Sequence, residues 1–311
     1  VAIQLFKEAY SGKIREIELG TGPKAVKVGG AAAYPFHSFE GSTGNPPRIA
    51  WEMWDAGADE AWPAAVKAPY ADVINDPVAW AKKLENHFGA ELIALRLQST
   101  DPNGMNASAE SAAATVKRVL DAISVPLIVC GVWNQAKDVE VLRKVADVCE
   151  GRNVTLCPLE EKNYKQLGAG AIASGSVAVA STPIDVNLAK QLNTLLGNLG
   201  VKENKILMDP TTGGLGYGLE YSFSVMERDR MAALVQQDDK MQQPLINFLS
   251  FETWKTKEAR MEDEKMGPAA DRAIAIEAIT AVVLLSAGSD LLVMRHPEAI
   301  ARIKELIAEL S

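Results

Sequence analysis

Eight times along the chain, a short unbroken run rich in Val, Ile and Leu is followed by a stretch whose apolar residues recur every three or four positions. The runs begin near residues 26, 92, 126, 154, 176, 206, 244 and 291. Unbroken apolar runs are what strands become when both faces are covered, as in parallel sheets flanked by helices. The helical stretches carry their own punctuation. Asp76-Pro77 and Thr182-Pro183 start helices with a cap and a proline in the first turn, Asn106 can cap another, and Gly89 and Gly200 stop them. Eight such units predict a single α/β domain over residues 1–311, a closed (β/α)8 TIM barrel, with a doubly wound open sheet as the alternative.

Two segments fall outside the repeat. Ile14–Leu19 and Ala25–Val28 alternate apolar and polar residues around Gly20-Thr21-Gly22-Pro23, the pattern of a β-hairpin. Residues 1–25 are therefore expected to cap the bottom of the barrel, with the second run continuing as barrel strand 1. Residues 34–74 read as a long loop after that strand. It carries Tyr34, Phe36, Phe39, Trp51, Trp54, Trp62 and Tyr70. A loop of that length is either functional or, with so many rings, a satellite core closing one mouth of the barrel.

Bulk properties exclude several classes. The formal net charge is -8 and no basic run exceeds two residues, so nothing draws the chain to nucleic acid. The longest dense apolar run, 278–288, falls short of the roughly 20 residues that a bilayer requires. Residues 1–13 lack a signal-peptide pattern, so the chain reads as cytoplasmic. The 3 cysteines form no C-x-x-C pair and the 3 histidines no H-E-x-x-H pair. A zinc site or iron–sulfur cluster held by this chain alone is not expected.

Barrels of this kind meet ligands at the C-terminal ends of their strands. Polar residues just past those ends are His37 and Glu40, Asp101 and Asn103, Trp133 and Asn134, Glu160 and Asn163, Asp185 and Asn187, Asp209 and Thr211, Glu252, His296 and Glu298. Each has a plainer role open to it in capping or loop hydrogen bonding. Asp185 reads as a cap, and Glu298 compensates a helix dipole. No lysine stands at a strand end for Schiff-base chemistry. Gly168-Ala-Gly170 matches a dinucleotide fingerprint in spelling but sits at a helix end, the wrong context. The densest candidate is the loop after Asp209, with Gly213, Gly214, Gly216 and Gly218 around Tyr217. Glycines there allow close backbone approach, either to a phosphate at the next helix or to a flat ring or partner surface.

The run Asp209-Pro-Thr-Thr-Gly-Gly-Leu-Gly-Tyr-Gly-Leu-Glu-Tyr-Ser-Phe-Ser-Val-Met-Glu-Arg228 closely resembles the small subunit of the corrinoid iron–sulfur protein. That is the delta-type subunit of acetyl-CoA decarbonylase/synthase systems. Val28-Gly-Gly-Ala, Pro35-Phe-His-Ser-Phe-Glu-Gly41, Asp72-Val-Ile-Asn-Asp-Pro77, Leu188-Ala-Lys-Gln-Leu-Asn193 and Met294-Arg-His-Pro-Glu-Ala299 extend the resemblance from near residue 20 to the end. It implies a non-catalytic subunit of a methyl carrier in the reductive acetyl-CoA pathway. The partner in the heterodimer, a large subunit, would hold the [4Fe–4S] cluster and most of the contacts to cobalamin. This barrel would cover the corrin while a methyl group passes from methyltetrahydrofolate, through a methyltransferase, to acetyl-CoA synthase. The chain's lack of a D-x-H-x-x-G motif agrees with such a division of labour. The surface expected to face corrin and partner comprises His37, Phe39, Asp101, Asp209, Thr211, Gly213, Gly214, Gly216 and Tyr217, with no catalytic residue and no metal ligand. The family's barrel is also similar to pterin-binding methyltransferases. A site of that kind would use Asp101, Asn134, Asp185 and Asp209.

Overall fold

In the computed structural model, residues 6–58, 62–216 and 218–310 are described. The chain opens with β1 (Glu16–Leu19) and β2 (Val26–Gly29), an antiparallel hairpin that pairs Ile17 with Val28 and Leu19 with Val26. There follow β3 (Arg48–Trp54), α1 (Ala64–Lys67), α2 (Pro77–Asn86), β4 (Leu92–Arg96), α3 (Ala109–Ala122), β5 (Leu127–Cys130), α4 (Gln135–Val148), β6 (Thr155–Leu159) and α5 (Tyr164–Ser174). The second half runs β7 (Val177–Ser181), α6 (Val186–Leu199), β8 (Ile206–Asp209), α7 (Leu219–Leu234), β9 (Ile246–Asn247), α8 (Leu249–Thr253), α9 (Ala269–Ser286), β10 (Leu291–Met294) and α10 (Pro297–Leu310).

Strands β3 to β10 form one parallel sheet in the order β8-β7-β6-β5-β4-β3-β10-β9. A parallel bridge between Met208 and Leu245 joins its two ends and closes the ring. The predicted barrel is thus the observed one. Strands β4 to β8 are buried at every residue, which is why their sequences are continuous rather than alternating. Helix caps follow the expected chemistry. Asp76 accepts from Val78 N and Ala79 N, and Asp185 from Asn187 N and Leu188 N, so α6 is capped by Asp185 rather than by Thr182, and Pro183 precedes the helix. The cap of α3 is Ser108, not Asn106, which instead turns the chain with φ 47°.

One strand differs from the expectation. Ala25–Val28 is not barrel strand 1; its residues lie in the hairpin, and β3 takes that place from within the expected loop 34–74. The reason is chemical. Glu52 and three bulky aromatic or sulfur side chains, Trp51, Met53 and Trp54, interrupt the Val/Ile/Leu signature, and the carboxylate is tolerated because Arg295, just past β10, neutralises it.

The hairpin does cap the bottom. Ile17, Leu19, Val26 and Val28 pack onto the inward-facing Leu92, Val177, Leu291 and Ile246 near the N-terminal ends of the barrel strands. Asn153 secures it by donating to Glu18 O at 2.9 Å and to Gly20 O at 2.8 Å. Among the described residues no helix is long and apolar enough to cross a membrane.

Candidate site at the barrel mouth

The displaced strand divides the aromatic segment between the two ends of the barrel. Residues 30–47 lead from the hairpin into the start of β3, so they lie at the bottom. His37 and Phe39 are there, far in the fold from the strand C-termini, which corrects their expected place beside the other candidates. His37 Nδ1 lies 3.0 Å from Glu40 Oε2, which also accepts from Tyr10 OH at 2.8 Å. The half of the segment after β3 remains at the top, where Trp54, Trp62, Trp80 and Tyr70 form a chain of ring contacts.

At the mouth itself the floor is built from the ends of β3, β4, β5, β9 and β10. Glu52 on β3 accepts from Arg295 Nη2 at 2.8 Å and Nε at 3.2 Å, from Trp54 Nε1 at 2.8 Å and from the Ser250 hydroxyl. Burial alone would raise its pKa, but the Arg295 and Arg96 guanidinium groups hold the carboxyl below its ordinary range. Arg295 in turn lies over the Trp62 ring, 3.8 Å from its centroid. This is a charge-paired, hydrogen-bonded network.

Arg96 is buried at the edge of that network. It is 5% exposed as a residue, and its guanidinium is 3.8 Å from the centroid of Phe251 and 5.0 Å from that of Trp133. Its Nε donates to Gln98 Oε1 at 3.0 Å, and Gln98 donates to Asp101 Oδ2 at 3.1 Å. Among the described residues, the two terminal nitrogens of Arg96 have no hydrogen-bond partner. They belong to a cavity of about 260 Å³ lined also by Asp101, Phe251, Lys255 and Arg260. Lys255 Nζ stands 3.0 Å from the Phe251 centroid, and burial pushes its ammonium below the ordinary value. On a chain of net charge -8, this mouth gathers cations among rings.

Trp133 completes the floor at a backbone cost. Its φ of 58° is rare for a bulky side chain. The preceding turn is fixed by Asp138, which accepts from Val132 N at 2.8 Å. The Trp133 ring is 5.5 Å from Phe248 edge-on and 6.4 Å from Phe251 in parallel orientation.

Asp209 ends β8, is buried, and accepts from Thr211 N at 3.0 Å. Burial raises its carboxyl to about 7. Thr211 has φ 63°, and its hydroxyl donates to Thr182 O at 2.6 Å. The glycine loop then folds on itself. Gly213 N donates to Ser222 Oγ at 2.7 Å, Leu219 N to Gly214 O at 3.1 Å, and a Cβ at 213 would meet Gly218 O at 2.3 Å. Gly213 is therefore glycine because its own loop crosses it. Gly216, with φ 86° and nothing within 4 Å of a Cβ built there, is the open tip. Tyr217 lies outside the described residues.

Other candidates serve the scaffold. Asn134 caps α4 by accepting from Lys137 N, Asp185 caps α6, and Asp101 accepts from Asn103 N at 2.9 Å. Asn163 Oδ1 accepts from Glu160 N at 2.7 Å, and Glu252 pairs with Lys255 at 3.4 Å. His296 is buried against Trp254, and its Nδ1 accepts from Glu298 N at 3.2 Å. All four residues that a pterin site would use are thus engaged with nearby backbone or a neighbouring side chain. The residues that do converge, Glu52, Arg96, Arg295, Phe248, Phe251 and Lys255, were not singled out beforehand. A charge inside or ending an apolar strand, as with Glu52 and Arg96, is the signal that could have found them.

Residues 16–307 match the family model described as CO dehydrogenase/acetyl-CoA synthase delta subunit. The chain is 37% identical to the acetyl-CoA decarbonylase/synthase complex subunit delta of Methanopyrus kandleri, over 92% of this chain and 70% of that protein. It is 36% identical to the subunit of the same name from Archaeoglobus fulgidus, over 97% of this chain and 69% of the relative. Among solved structures, dihydropteroate synthase of Xanthomonas albilineans with 4-aminobenzoic acid aligns with TM-score 0.59 at 12% identity, covering 95% of this chain and 98% of that one. The Coxiella burnetii dihydropteroate synthase in complex with pteroic acid aligns with TM-score 0.58 at 10% identity, over the same shares. At such identities the likeness concerns the barrel alone.

Proposed function

The chain belongs to the CO dehydrogenase/acetyl-CoA synthase delta subunit family, and on that premise we propose that it is the small, non-catalytic subunit of a corrinoid methyl carrier. In this reading its barrel mouth covers a cobalamin held mainly by a large subunit, which also carries the [4Fe–4S] cluster. Methyl groups then pass from methyltetrahydrofolate, through a separate methyltransferase, to acetyl-CoA synthase. The observation that carries the reading is the floor of the mouth, where Arg96 lies against both Phe251 and Trp133 and, among the described residues, its terminal nitrogens are unpaired.

Those residues fit a corrinoid's chemistry. A broad macrocycle fringed with amides needs apolar faces to lie against and donors for its carbonyl oxygens. Trp133, Phe248 and Phe251 supply the faces; Arg96 and Lys255 supply the donors. When bound, the corrinoid supplies the methyl-carrying chemistry itself. The work of this chain's residues is to seat the ring and exclude water.

The test is to record cobalamin absorbance and methyltetrahydrofolate binding for this chain alone and together with the large subunit. Cobalamin retained only by the pair, with no pterin bound by this chain, supports the proposal. Phe251→Ala in the pair is expected to weaken corrinoid retention about tenfold, the loss of one aromatic contact. Methyl transfer from methyltetrahydrofolate to free cobalamin by this chain alone would overturn it in favour of a methyltransferase.

A further inference from the structure

Two buried guanidinium groups at the mouth share one carboxylate. Arg295 is 2% exposed and Arg96 5%. Glu52 spends both oxygens without bonding to Arg96: Oε2 on Arg295 and the Ser250 hydroxyl, Oε1 on Trp54 Nε1. The other nearby carboxylates are occupied too. Asp101 accepts from Gln98 Nε2 at 3.1 Å and Asn103 N at 2.9 Å, and Asp138 Oδ1 accepts from Val132 N. Among the described residues Arg96 has no salt-bridge partner, whereas Arg295 has Glu52. Burial works against the charge on Arg96, and the more distant Glu52 offsets only part of that. A buried cation short of an anion is unfavourable, and supplying the anion recovers the loss.

The guanidinium leaves one edge open. Phe251, Trp133 and Trp54 have their ring centroids 3.8, 5.0 and 5.5 Å from its central carbon, and Nε is bonded to Gln98. Nη1 and Nη2 remain. Neither is among the fully buried unpaired atoms of the described residues, so both keep accessible surface, and Arg96 lines the cavity of about 260 Å³. Lys255, with Nζ 3.0 Å from the Phe251 centroid, brings a second cation to the same cavity. The volume lies below the roughly 300 Å³ at which sites for whole small molecules begin, so it suits a group of a few atoms.

We propose that this cavity seats a small carboxylate, whose two oxygens accept from Arg96 Nη1 and Nη2 with Lys255 beside them. Shape and charge select the class. The planar fork of a guanidinium matches the two oxygens of a carboxylate. A neutral amide, such as those fringing a corrin, uses a donor but leaves the charge unmet. A phosphate dianion would set a second negative charge near Glu52, Asp101 and Glu252. A free small acid and an acidic group on a docked partner offer the same chemistry. The seat goes beyond the corrinoid reading and does not rest on it.

The experiment is an NMR titration of the full chain with propionate and propionamide in low-chloride buffer, read at the Arg96 Nε–H and Trp133 indole N–H signals. Saturable shifts are expected with propionate, and binding about tenfold weaker with propionamide. Arg96→Gln should remove the Trp133 response. Should that variant not fold, Lys255→Glu changes a side chain that is 45% exposed, sets a carboxylate at the seat and should weaken propionate at least about tenfold. Equal binding of propionate and propionamide would overturn the proposal. So would unshifted signals at millimolar propionate, or propionate binding unchanged by Lys255→Glu. The large subunit then separates the sources. Propionate that competes with it places the native carboxylate on the docked partner, and propionate that binds the pair as it binds the chain places it on a free acid. The arms on the chain alone need no cobalamin, so failure of the corrinoid reading leaves them intact.

Discussion

Asp138, Asp209, Asp229 and Glu277 are buried carboxylic acids, and burial raises each of them to about 7. Asp229 is the extreme case, with neither oxygen paired among the described residues. Its folded state holds a proton that the unfolded chain releases near the ordinary 3.8. The folded form therefore binds more protons between about pH 4 and pH 7, and stability falls as pH rises through that window. Asp229→Asn cannot ionise. It is expected to be more stable than the native chain by about 1–2 kcal/mol at pH 8, with the gain vanishing near pH 4. Denaturant unfolding at the two pH values checks this, and an equal effect at both would contradict it. Gly213 makes a second case at this scale. Gly213→Ala puts a Cβ 2.3 Å from Gly218 O and should cost about 1–3 kcal/mol with the loop displaced. Gly216→Ala meets no atoms and should cost less, chiefly through its φ of 86°. Thermal unfolding of the two variants gives the order.

At the scale of elements, the hairpin acts as the barrel's floor. Ile17 is fully buried against the inner wall, so Ile17→Ala should cost about 2–5 kcal/mol, the range for an emptied core site. Lys27→Ala on the outer face, which removes only an exposed pair with Glu16, should leave stability nearly unchanged. Seven of the eight barrel strands were legible because burial on both faces leaves a run of Val, Ile and Leu that little else produces. β3 was not, because its composition answers to two functions at once: Ile49 and Ala50 build the wall, while Glu52 and Trp54 build the mouth. Misplacing that one strand also misplaced His37 and Phe39, since the same loop reads as following a barrel strand when it in fact precedes one. The site was legible only where it is local. Asp209 and the glycine loop lie within ten residues of each other, whereas Glu52, Arg96, Phe251 and Arg295 meet only once the ring closes.

At the scale of the whole molecule, the two ends of the barrel have different chemistry. The bottom is closed by an apolar hairpin and holds a small cavity beside it; the mouth presents rings and cations on a chain that is acidic in total. A carrier subunit of the proposed kind should engage its corrinoid-loaded partner through the mouth. Hydrogen–deuterium exchange of this chain, with and without the corrinoid-loaded large subunit, reads that directly. The account predicts that segments 131–134, 211–216 and 249–255 gain protection when the loaded subunit is added. Protection confined to segment 34–47, or a mouth protected by methyltetrahydrofolate without any partner, would contradict it.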